Sequence, residues 1–151
     1  MRAISTLLVL NIALLVPCAS AAAQSGAPSR FALTRTFRCA FPVNARADMR
    51  TDVPQPTVAR ETFELTFDQI DRRAGTGRMI GNQGGSDVSV VEAPEGITII
   101  EVLGSGYLQV TAIYTAETKD GRFKAVHSRH SAALGGEPVP SQYYGSCAGL
   151  L

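Results

Sequence analysis

The run AVHSRHS, Ala125 to Ser131, holds the residue types best able to do chemistry in this chain: His127, Arg129 and His130. Two histidines bind one metal ion only where their ring nitrogens converge, and strand side chains alternate between faces. His127 and His130 lie three apart and therefore point to opposite sides of a strand. With no third histidine in the chain, no metal site is expected. The same alternation groups Phe123, Ala125, His127 and Arg129 on one face, expected to turn inward, and Lys124, Val126, Ser128 and His130 on the other. An inward Arg129 needs a partner, because an unpaired buried charge is costly. Glu101 is the candidate: it interrupts the apolar ITIIEVL and shares a face with Ile97 and Ile99. The cluster reads in two ways. It is either an internal polar network that fixes the sheet, or the lining of a cavity where Arg129 takes an anionic group while His127 and Glu101 exchange protons.

Other candidates carry less chemistry. Tyr143 and Tyr144 in PSQYYG offer a pair of rings for ligand stacking, or else a packed plug with hydroxyls at the surface. IGNQGG has glycines whose N–H groups suit an anion, but no helix with phosphate-loop spacing follows, which leaves a turn. There is no Gly-x-Ser-x-Gly nucleophile elbow and no cofactor motif.

The elements that must position these residues are strands. FALTRTFRCAF alternates, with Phe31, Leu33, Phe37, Cys39 and Phe41 on one side, and predicts a first strand. Pro42 to Arg60 has three prolines and scattered charge, predicting a long loop. ETFELTFDQI repeats with a period of two through Phe63, Leu65 and Phe67. Short strands are expected in RMIGN and VSVVEA. ITIIEVL, apolar at nearly every position, predicts a strand covered on both sides. YLQVTAIYT sets Leu108, Val110, Ala112 and Tyr114 against Tyr107, Gln109, Thr111 and Ile113, and KDG turns it into RFKAVHSRH. The fold class is therefore all-β: an antiparallel meander of about seven strands, closed as a small barrel or folded as a sandwich.

The ends of the sequence set the expected compartment. MRAISTLLVLNIALLVPCASAAAQS has a positive start, an apolar run from Leu7 to Val16 and small residues after it, the order of a secretory signal peptide. The run is about half the length a bilayer-spanning helix needs, so no transmembrane span is expected in the mature chain. Cleavage after Ala23 leaves residues 24–151 as a single domain. A lesser alternative is lipidation of Cys18, for which Pro17 is a poor neighbour. Loss of Cys18 leaves Cys39 and Cys147, expected to form a disulfide that staples the first strand to the C-terminal tail. The full chain has 14 basic and 13 acidic side chains; without Arg2 they balance, and nothing recruits nucleic acid by bulk charge.

GRFKAVHSRH, PSQYYGSC and the upstream IGNQGG resemble a group of small exported proteobacterial β-proteins. The resemblance covers most of the mature chain and implies a periplasmic or secreted setting, with no activity attached. The expected function is a non-enzymatic exported β-domain that binds a small ligand or a cell-envelope or host protein through Glu101, His127, Arg129, Tyr143 and Tyr144. Two alternatives are a small secreted hydrolase of phosphodiesterase or nuclease type using His127, Arg129 and Glu101, and a structural envelope component.

Overall fold

The computed structural model describes residues 27–82 and 84–150. The expected signal peptide, its cleavage site, Cys18 and Gln83 lie outside the described residues. A single turn of helix, α1 (Arg30–Leu33), precedes eight strands: β1 (Thr36–Asp48), β2 (Gln55–Asp71), β3 (Thr76–Gly81), β4 (Gly84–Ala93), β5 (Gly96–Val102), β6 (Leu108–Glu117), β7 (Phe123–His130) and β8 (Ser141–Leu150). Each pairs antiparallel with the next, and β8 returns to β1, so the sheet closes as a barrel. The all-β expectation holds, and the choice between barrel and sandwich resolves to the barrel. The C-terminal tail supplies the eighth strand.

The period of two fills the interior. Phe37, Cys39 and Phe41 of β1, Leu65 and Phe67 of β2, Ile97 and Ile99 of β5, Ile113 of β6, Phe123, Ala125 and His127 of β7, and Tyr143 and Cys147 of β8 are all buried. Cys39 and Cys147 stand opposite each other across the β1–β8 seam and are joined as a disulfide. The closing strands are thus tied covalently where the first strand meets the last.

Three sequence expectations are corrected. The predicted first strand begins instead as α1, capped by the Ser29 hydroxyl on the Ala32 N–H. This turn plugs one end of the barrel: Phe31 packs edge-on against Phe123 at 4.9 Å and lies 5.6 Å from Phe37. The Arg72 guanidinium fixes the plug by donating to the carbonyls of Phe31, Ala32 and Thr34. Leu33, expected inside, is exposed, because helical spacing turns it away from Phe31.

The predicted Pro42–Arg60 loop is mostly strand. β1 and β2 continue as a hairpin arm paired from Val43↔Arg60 out to Asp48↔Gln55. Pro54 lies in the turn between the two strands, and Pro42 and Pro56 sit where the pairing accommodates them. Against β8, Ala40 pairs with Ser146 and Val43 with Tyr144, so Phe41 and Pro42 together oppose Gly145. Such a bulge leaves one residue unpaired, which suits a residue without an N–H. Gly145 is needed there: a Cβ at this position would lie 2.0 Å from the Ala40 carbonyl oxygen and 2.7 Å from the Phe41 Cα. Pro56 sits where β2 has no partner on its β3 side, since that pairing begins only at Thr66, and such free edges tolerate proline.

Finally, ITIIEVL is covered on one side only. Ile97, Ile99 and Glu101 are buried, whereas Thr98 and Ile100 are half-buried and Val102 is exposed. A barrel made from one sheet has nothing to lay over its outer face.

Candidate functional site

The barrel interior has two storeys. Toward α1 it is apolar and filled, by Phe31, Phe37, Phe67, Ile70, Val90, Ile97, Ile113 and Phe123. Toward the other end the same inward face becomes polar. β4 presents Ser86, β5 Glu101, β6 Gln109 and β7 Arg129, and these side chains border an open cup of about 650 Å³. Phe63, Leu65, Met79, Leu103 and Tyr107 supply its less polar wall. The size suits a small ligand, and eight-stranded barrels have room for one.

Register places three of these groups in one lateral row: Glu101 pairs with Gln109, and Gln109 with Arg129. Glu101 is only 5% exposed. Its Oε1 accepts a hydrogen bond from the Ser86 hydroxyl, while its Oε2 is buried without a partner among the described residues. The neighbouring Gln109 Oε1 is in the same condition. The expected Glu101–Arg129 ion pair is absent among the described residues. The two residues share the inward face, but with Gln109 between them their backbones are two strand spacings apart, roughly 10 Å.

Arg129 turns its guanidinium elsewhere. The plane lies 4.3 Å over the Phe63 ring centroid and 5.1 Å from that of Tyr143. Its Nε donates to His127 Nε2 at 3.3 Å, and one terminal nitrogen donates to the Tyr143 hydroxyl at 3.3 Å. Arg129 is therefore paired by stacking and by neutral acceptors rather than by a carboxylate.

His127 lies below Arg129, fully buried, and is not part of the cup lining. Because Nε2 accepts from Arg129, the proton belongs on Nδ1, which donates to Thr111 Oγ1 at 2.7 Å. Burial, reinforced by the positive charge of Arg129, pushes the His127 pKa down to about 3. A neutral ring with both nitrogens occupied and aromatic neighbours in Phe41, Phe63 and Tyr143 is a structural core group. It has no opening through which to meet a substrate. The proton-exchange role for His127 loses its geometry here, whereas Glu101 and Arg129 do reach the cup.

The chain finds no match among protein families, curated proteins or solved structures. The reading of the site therefore rests on its geometry.

The remaining candidates divide by face. Tyr143 points inward as a buried partner of Arg129, and Tyr144 outward, 41% exposed, its hydroxyl bonded to Gln142. Adjacent strand residues cannot stack on one ligand together, so the tyrosine pair is not a binding platform. His127 and His130 do occupy opposite faces, with His127 buried and His130 exposed at the rim of the cup. Gly81, Asn82, Gly84 and Gly85 of the glycine-rich turn also border the mouth. Sequence reasoning overlooked Ser86 and Gln109. The only signal for Gln109 was its place on the Thr111/Ile113 face of β6, which is the inward one.

Proposed function

We propose that this protein is an exported, non-enzymatic β-barrel that binds a small ligand in the cup. One observation carries the reading: the cup wall holds a buried carboxylate with an oxygen that no described residue satisfies. Burying such a group costs several kcal/mol unless something pairs with it, and an open cavity beside it admits a ligand that does. The Cys39–Cys147 disulfide supports the exported setting, since such bonds persist in oxidising compartments. The storey below the cup supports binding over hydrolysis, because it keeps the histidine neutral and enclosed.

The test uses the oxidised chain and a reporter at the cup mouth. The protein contains no tryptophan, so Leu103→Trp, at a half-buried lining position, adds the sole indole. Small-molecule extracts of cell envelope are fractionated and titrated against this variant, with native mass spectrometry in parallel. The reading predicts a saturable change in indole emission together with a discrete non-covalent mass adduct on the unsubstituted protein. An emission that no fraction alters, with no adduct, refutes it.

A further inference from the structure

Resting on the ligand-binding reading, we infer that the group anchored in the cup is a protonated amine, held by Glu101 and Gln109, and not an anion held by Arg129. The sequence directs attention to the arginine, the usual residue for an acidic ligand. The geometry reverses this. Arg129 already has protein partners at Nε and at one terminal nitrogen, and its guanidinium lies over the neighbouring Phe63 and Tyr143 rings. Two of its five N–H donors are thereby taken by the floor of the cup, and it leaves no acceptor there unpaired.

The unmet demand is for donors. Glu101 Oε2 and Gln109 Oε1 are both acceptors, both buried and both without partners among the described residues. They come from register-paired positions on adjacent strands, so the two side chains stand next to each other in the cup lining. Ser86 holds the far carboxylate oxygen and so leaves Oε2 as the free one. An ammonium carries three donors and a positive charge, which answers two acceptors and one negative charge. A second carboxylate or a phosphate offers these atoms no donor and adds repulsion. Leu65 and Met79 in the same cup lining favour an alkyl body behind the amine. The ligand class is therefore a small alkyl amine, or a larger molecule that presents one.

Three probes with the same chain and different ends test this: n-hexylamine, n-hexanol and n-hexanoate, titrated at neutral pH into the 15N-labelled oxidised protein and followed by amide chemical shifts. The expected result is saturable shifts around Ser86, Glu101 and Gln109 with hexylamine, and binding weaker by roughly tenfold or more with the other two, from loss of charge-assisted hydrogen bonds. Glu101→Gln keeps shape and removes charge. It should cut hexylamine affinity by a similar factor while leaving the melting temperature equal or higher, since it relieves an unpaired buried charge. Gln109→Leu, as a second variant, should weaken the amine and not the alcohol. Hexanoate binding as tightly as hexylamine overturns the amine inference and leaves the ligand-binding reading intact. No binding of any probe at millimolar concentration, together with a silent Leu103→Trp reporter, overturns both.

Discussion

The enclosed histidine predicts an acid sensitivity that can be worked out from its surroundings. His127 has its pKa lowered from 6.5 to about 3 by burial and by the facing Arg129; its other close neighbours are Thr111, Phe41, Phe63 and Tyr143. In the unfolded chain the ring takes up a proton near pH 6.5. Between these two values the unfolded state holds one proton more than the folded state, so stability falls as pH falls, by about 1.4 kcal/mol per pH unit. Above pH 6.5 the ring is neutral in both states and contributes no slope. From pH 7 to pH 5 the cost attributable to His127 is therefore about 2 kcal/mol. The perturbation is His127→Gln, which can still donate toward Thr111 and accept from Arg129 but does not titrate. Urea unfolding of the wild type and the variant at both pH values gives four free energies. Carboxylates and His130 are common to both proteins and cancel in the difference of differences. The expected result is that the wild type loses about 2 kcal/mol more than His127→Gln between pH 7 and pH 5. Equal losses would mean that the ring takes up a proton in the folded state, and the account of a dry, occupied imidazole would fail.

Two further predictions concern the closing seam. The Cys39–Cys147 bond joins residues 108 apart, for which the chain-entropy model gives roughly 4–5 kcal/mol. The Cys39→Ser, Cys147→Ser double variant should melt about 10–20 °C lower under non-reducing conditions, and unchanged melting would remove the disulfide from the stability of the barrel. Gly145→Ala should cost about 3 kcal/mol or more by forcing β8 away from the Phe41–Pro42 bulge. Gly104→Ala, where an added Cβ meets nothing within 4 Å, is the control in circular-dichroism melts. Equal melting of the two alanine variants would refute the close-packed bulge.

How much of this was legible depends on whether an element obeys a local rule or a closure constraint. The strand at ETFELTFDQI, the inward face of RFKAVHSRH and the division between His127 and His130 follow from alternation alone, and the structure reproduces them. The Pro42–Arg60 segment misled because proline is read as a breaker, and only the pairing register reveals that Pro42 falls in a bulge and that Pro56 has a free edge on its β3 side. α1 was hidden for a similar reason. Phe31 and Leu33 continue the period of two that starts in earnest at Phe37, so nothing local marks the bend, and it is the open end of the barrel that calls for a plug. Of the candidate site, Glu101 and Arg129 were visible as charged residues on an apolar face. Their partners were not, because Gln109 and Ser86 are ordinary residues whose importance comes from register across three strands.

The division into two storeys also explains why an arginine stands at position 129. The filled half of the barrel needs a seal against the open cup, and a simple apolar seal would leave His127 Nε2 as a buried acceptor without a donor. Lysine has the charge, but its compact, strongly hydrated ammonium resists being laid against rings. Arginine meets both demands at once: its plane covers Phe63 and Tyr143, and its edge donates to His127 and to the tyrosine hydroxyl. The seal leaves a positive charge in the floor beside the Gln109 amide, with the Glu101 carboxylate on the far side of it. The cup therefore has an electrical direction, positive at β7 and negative at β5, and a cationic group entering it is turned toward Glu101 before it makes any contact there.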